Sequence, residues 1–136
     1  MNSSIHERRW SRFFLVAALF NYAMGFPILV FRHWSYDVTY VAAVGRDPMA
    51  IRIWANFGFA VILIGLGYQL VARDVRKNRG IVLLGIIAKL FDVINLSALF
   101  VWGFARPLVL LPALMDGIFA AMFVVFWFST REGSTA

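Results

Sequence analysis

Four apolar runs, each long enough to cross a bilayer, constrain this chain more than any other feature. They are Phe13–Phe31, Ile53–Ala72, Ile81–Trp102 and Pro107–Phe128. A helix rises about 1.5 Å per residue, so a hydrocarbon core of about 30 Å takes about 20 apolar residues per crossing. None of the runs alternates polar and apolar residues as a barrel strand does. Across the 136 residues, 62% are hydrophobic and 15% charged. A soluble domain of that length has too much surface to be so apolar. The expectation is one all-α domain, residues 1–136, forming a bundle of four transmembrane helices.

Lysine and arginine orient the bundle. The chain ends and the second loop carry Arg8, Arg9, Arg12, Arg73, Arg76, Lys77, Arg79 and Arg131. The first and third loops carry Arg32, Arg46, Arg52 and Arg106. This asymmetry predicts a bacterial-type inner membrane protein with both termini cytoplasmic. The net charge of +6 has the same origin and does not imply a nucleic-acid partner, because the bases flank spans. Arg73, Arg76, Lys77 and Arg79 are a candidate contact for anionic lipid headgroups. The first run has the basic start of a signal peptide but is long for one, and no clean A-x-A site follows it. It is read as a retained span.

The chain has no cysteine, which excludes thiolate nucleophiles, disulfide exchange and iron–sulfur clusters. His6 and His33 lie outside the spans, so neither a haem held by two histidines nor a zinc site is expected. No G-x-S-x-G, H-E-x-x-H or glycine-rich phosphate loop is present. The sequence thus predicts no metal and no cofactor, and it gives no sign of an enzyme.

Between the spans, MNSSIHERRWSR reads as an amphipathic lead-in with Trp10 at the interface. Gly25 and Pro27 predict a kink near the outer end of the first span. Trp34, Tyr36 and Tyr40 suit an interfacial belt, and YDVTYVAAV is either a short helix or an extended piece. Asp47-Pro48 reads as an N-cap with proline at the first helical position. The short Gly103–Arg106 loop predicts that the third and fourth spans are antiparallel neighbours. The phenylalanines and tryptophans are expected mostly to face lipid, and the tail EGSTA to be disordered.

The polar residues inside the spans raise the question of function. Counted from the cytoplasmic side, Lys89 lies about 12 Å deep, Asp92 and Asp116 about 16 Å, Asn95 about 21 Å and Asn56 about 25 Å. Asn21 is level with Lys89. Residues three apart share a helix face, so Lys89, Asp92 and Asn95 form one stripe. If the faces converge, a polar ladder runs from the outer surface to the midplane. Gly85 accompanies Lys89, and Ala113 and Ala120 accompany Asp116; such small residues let helices approach closely in lipid. Pro112, one turn before Asp116, leaves the Leu108 carbonyl without its usual donor. Gly58 and Gly65, with Gln69, form a second seam for another helix or a second copy of the protein.

A buried charge costs at least about 2.5–3.5 kcal/mol on insertion scales, so these residues need partners or a purpose. One lysine beside two aspartates favours one neutral carboxyl, which suits proton or small-solute transport. The alternative is a non-catalytic accessory subunit, in which the cluster docks helices and the Gly58/Gly65 seam binds a membrane partner or a second copy.

Arg52 opening the second span, the run GFAVILIGLGYQL and Gly85-Ile-Ile-Ala-Lys89 resemble the DoxX-like small bacterial four-helix membrane proteins. The resemblance implies the fold. Some members of that group are linked to quinone-dependent oxidoreductases, so it also implies a partner role beside such an enzyme. No quinone or thiosulfate site carries over residue by residue. The first span lacks the glutamate of small multidrug exporters, and the absence of cysteine departs from disulfide-forming quinone enzymes.

Overall fold

A computed structural model describes residues 3–130; Arg131 and the EGSTA tail lie outside the described residues. It contains five α-helices and, among the described residues, no strand. Helix α1 covers Ser3–Val30, α2 Arg32–Thr39, α3 Pro48–Arg73, α4 Arg79–Val101 and α5 Leu110–Ser129. Short 3₁₀ turns occupy Ala42–Val44 and Pro107–Val109. The four segments long and apolar enough to cross a membrane are His6–Val30, Pro48–Arg73, Arg79–Val101 and Pro107–Ser129. The protein is thus a four-helix membrane bundle with an additional short helix.

Two spans begin before their apolar cores. The lead-in is continuous with α1, and Trp10 is buried against Phe14 and Phe126 rather than placed at the interface. The start of α3 is set at Asp47, whose carboxylate accepts the Met49 and Ala50 amides at 2.8 and 2.9 Å. Pro48 follows at N1, where its missing N–H removes no helical bond. Helix α1 runs on through Pro27 to Val30, and a turn at Phe31 leads into α2. Tyr36 is buried against Ile28, Ile51 and Trp54, so it belongs to the packing and not to a belt.

Antiparallel α1 and α3 form the tightest pair, and α4 with α5 the second. Gly25 and Gly58 allow the first approach. A Cβ on Gly58 would fall 2.8 Å from the Leu29 backbone nitrogen, and one on Gly25 2.8 Å from the Gly58 carbonyl oxygen. The Gly58/Gly65 seam is therefore filled by α1 of the same chain and is not a free docking surface. Gln69 accepts the Tyr22 hydroxyl at 2.7 Å along the same contact.

Gly103, with φ of 77°, ends α4 in the left-handed region that glycine adopts without strain. Its N–H donates to the Phe100 carbonyl and that of Phe104 to Leu99, which satisfies two terminal carbonyls. The turn is also tied to α2: Val41 N–H donates to Phe104 O at 3.0 Å and Arg106 N–H to Thr39 O at 2.8 Å.

The half of the bundle away from α2 is closed by a packed core. Phe14, Tyr68, Val71, Val82, Phe123 and Phe126 are fully buried there. The Phe14 and Phe123 rings stack with centroids 5.1 Å apart. Part of the aromatic complement therefore packs inside the bundle, while Phe26, Phe31, Phe59, Phe91, Phe128, Trp34 and Trp102 stay exposed.

Candidate functional site

At the level where the closed half ends, three helices bring one polar group each to a common point. Lys89 of α4 donates to Asp116 Oδ1 of α5 at 2.5 Å and to Asn21 Oδ1 of α1 at 2.8 Å. Lys89, Asp116 and Asn21 are 3%, 5% and 2% exposed. Asn21 in turn donates its amide to the Val61 carbonyl of α3 at 3.1 Å, so all four spans meet here. Gly65 makes the contact possible: a Cβ at that position would lie 3.1 Å from that of Asn21. Gly85, one turn before Lys89, leaves room for the Tyr68 ring, and Ala113 and Ala120 flank Asp116 in buried positions.

The ammonium is held on its remaining sides by rings. Phe20, Phe119 and Tyr68 have centroids 5.2, 5.5 and 5.8 Å from Lys89 Nζ. Such contacts suit a desolvated cation. The aromatic cage is invisible to a search for polar residues. Its signal is position: Phe20 precedes Asn21, and Phe119 follows Asp116 by one turn. The Tyr68 hydroxyl, wholly buried at the start of the closed half, has no hydrogen-bond partner among the described residues.

Above the ion pair lies a cavity of about 310 Å³. All four spans and α2 line it. Trp34, Ser35, Val38 and Thr39 of α2 lie at one end, and Asn21, Lys89 and Asp116 at the other. From Ile28 to Asn21 the cavity follows α1 for two turns, about 10 Å. Its walls are mostly apolar, with Trp54, Phe57, Leu96 and Leu111 prominent. Trp54 is fixed by a 2.9 Å hydrogen bond from its Nε1 to the buried Ser35 hydroxyl, which ties α2 to α3. Pro112 also lines the cavity, but it falls in the first turn of α5, where a missing N–H is tolerated.

Asp92 faces this cavity and differs from Asp116. It has no hydrogen bond and no ion pair among the described residues. The expected ladder is thus only partly assembled. Asn56 and Asn95 are exposed on the outside of the bundle and do not line the cavity. Helical spacing puts Asn95 near the Lys89 stripe, but its side of α4 is exposed. The result is an apolar cavity with a charged floor, not a polar cleft.

At the opposite end, the four basic residues of the α3–α4 loop do not act as one group. Arg76 pairs with Glu7. Arg79 donates to the Trp127 carbonyl at 2.5 Å and stacks 4.4 Å over the Trp127 ring. Arg73 and Lys77 stay exposed. Among the described residues no three His, Cys, Asp or Glu side chains converge as a metal site would require.

No family model, curated protein or solved structure matches this chain.

Proposed function

We propose that this protein is a small inner-membrane transporter that admits a solute at the α2 end. The cavity receives the solute's apolar part, and Asp92 with the Lys89–Asp116 pair receives its polar end. The observation that carries this reading is the asymmetry of the bundle: one half holds a cavity ending at buried charges, and the other is filled by fully buried side chains. A carrier caught open to one side has this form, with its site near the midplane. The charge asymmetry of the loops supports α2 as the external end, with both termini cytoplasmic.

The absence of native cysteine allows a test without a known substrate. Val61 lines the cavity near its floor, so Val61→Cys is to be reacted with a membrane-impermeant thiol reagent added to one face of proteoliposomes at a time. Labelling from both faces is expected of a carrier. Labelling from the α2 face alone would overturn transport and leave a one-sided pocket.

A second reading is favoured by Asn56 and Asn95. Both are exposed within membrane-spanning helices and make no hydrogen bond among the described residues. Amides in lipid seek partners on other helices. They support assembly with a second copy or a membrane partner, including an oxidoreductase of the kind implied by the DoxX-like resemblance. Crosslinking from single cysteines at these two positions tests it.

A further inference from the structure

The charged groups that line the cavity are two carboxyls and one ammonium, and the ammonium is already paired. They belong to Lys89, Asp92 and Asp116, and α1, α2 and α3 contribute only neutral side chains. Lys89 and Asp116 satisfy each other, and the ammonium is wrapped by Asn21 and three rings. What remains for an occupant is the carboxyl of Asp92, which makes no hydrogen bond and no ion pair among the described residues and feels Lys89 only through space. Around the same space stand Trp34, Trp54 and Phe57, whose ring faces attract cations as well as apolar surface.

We infer that the cavity selects an organic monocation with an apolar or aromatic body, its positive end at Asp92 and its body against Trp34, Trp54 and Phe57. A volume of about 310 Å³ suits a small molecule rather than a lipid chain with its headgroup. An anion would meet a carboxyl with no compensating donor, since the lysine is already engaged. A neutral apolar molecule would leave Asp92 unpaired in low dielectric, which disfavours it relative to a cation. This inference rests on the cavity being the solute site.

The test compares two probes of similar size and opposite charge, phenyltrimethylammonium and benzenesulfonate. Binding is measured by isothermal titration to the purified protein in nanodiscs of zwitterionic lipid, with empty nanodiscs as the blank. Saturable binding of the cation is expected, with the anion weaker by about ten-fold or more, the equivalent of one modest charge interaction. Asp92→Asn should remove most of that difference, and Asp92→Glu should restore it. Asp92 has no hydrogen bond or contact ion pair to lose among the described residues, so both variants should assemble, and size-exclusion chromatography checks this. Equal or tighter binding of benzenesulfonate to the native chain would overturn the inference. So would a cation preference that survives in Asp92→Asn, or no saturable binding of either probe. Failure here with Val61→Cys labelled from both faces means transport of another solute class. A cation preference with one-sided labelling means a cation site in a protein that does not transport.

Discussion

Lys89 and Asp116 are the residues whose removal should tell most about the bundle. Removing one member of a buried pair leaves a charge without compensation, commonly at a cost of about 3–5 kcal/mol, whereas replacing both by apolar groups is often nearly neutral. Lys89→Met should therefore lower stability in detergent clearly, and the double variant Lys89→Met/Asp116→Leu should recover most of the loss. Unfolding in graded SDS, followed by circular dichroism, measures both. A double variant that is stable but shows no uptake of a cation would separate the pair's role in function from its role in packing. If the double variant is no more stable than Lys89→Met, the pair does not behave as a compensated unit. These residues stood out in the sequence because a charge in lipid is costly enough to demand a partner. Which aspartate meets the lysine was not legible. Asp92 and Asp116 lie at the same estimated depth, and only the rotation of α5 against α4 distinguishes them. Asn56 and Asn95 misled for a related reason: spacing along a helix reports relative direction, not which neighbour occupies that direction.

At the scale of elements, the spans were legible because bilayer thickness fixes their length, and because Asp47-Pro48 and Gly103 mark ends by their own chemistry. Helix α2 was not, since its eight residues carry no apolar run and its position depends on backbone bonds to the α4–α5 turn. The strongest contact between elements, α1 against α3, rests on glycine. A methyl group on Gly58 would meet the Ile28 side chain at 2.7 Å and the Leu29 backbone nitrogen at 2.8 Å. A backbone atom cannot rotate aside as a side chain can, so α1 must move. Gly58→Ala should cost about 1–3 kcal/mol, in the range of other overpacked cores. Gly80→Ala is the control. Nothing lies within 4 Å of its added methyl group, and alanine is the better helix former. A midpoint for Gly58→Ala equal to that of Gly80→Ala would mean that the helices are not in contact there.

For the molecule as a whole, the cavity depends on features that the linear pattern does not carry. Its walls are ordinary apolar residues, and what makes them walls is that α2 folds back over space left between the helix pairs. The orientation of that space in the membrane decides what the protein can do with it. An even number of spans puts both termini on one face, and the denser arginines and lysines lie on that face with the α3–α4 loop. Val44, exposed in the 3₁₀ turn after α2, and Lys77, exposed in the α3–α4 loop, mark the two opposite faces. In intact cells Val44→Cys should react with an impermeant thiol reagent, and Lys77→Cys only after permeabilisation. That outcome places the cavity toward the exterior, where a cation could enter directly from outside. The reverse labelling would turn the bundle over. The same cavity would then draw from the cytoplasm, and the closed aromatic half would be the barrier to release outside. The charge asymmetry argues for the first arrangement, because moving basic residues across the membrane during insertion is disfavoured.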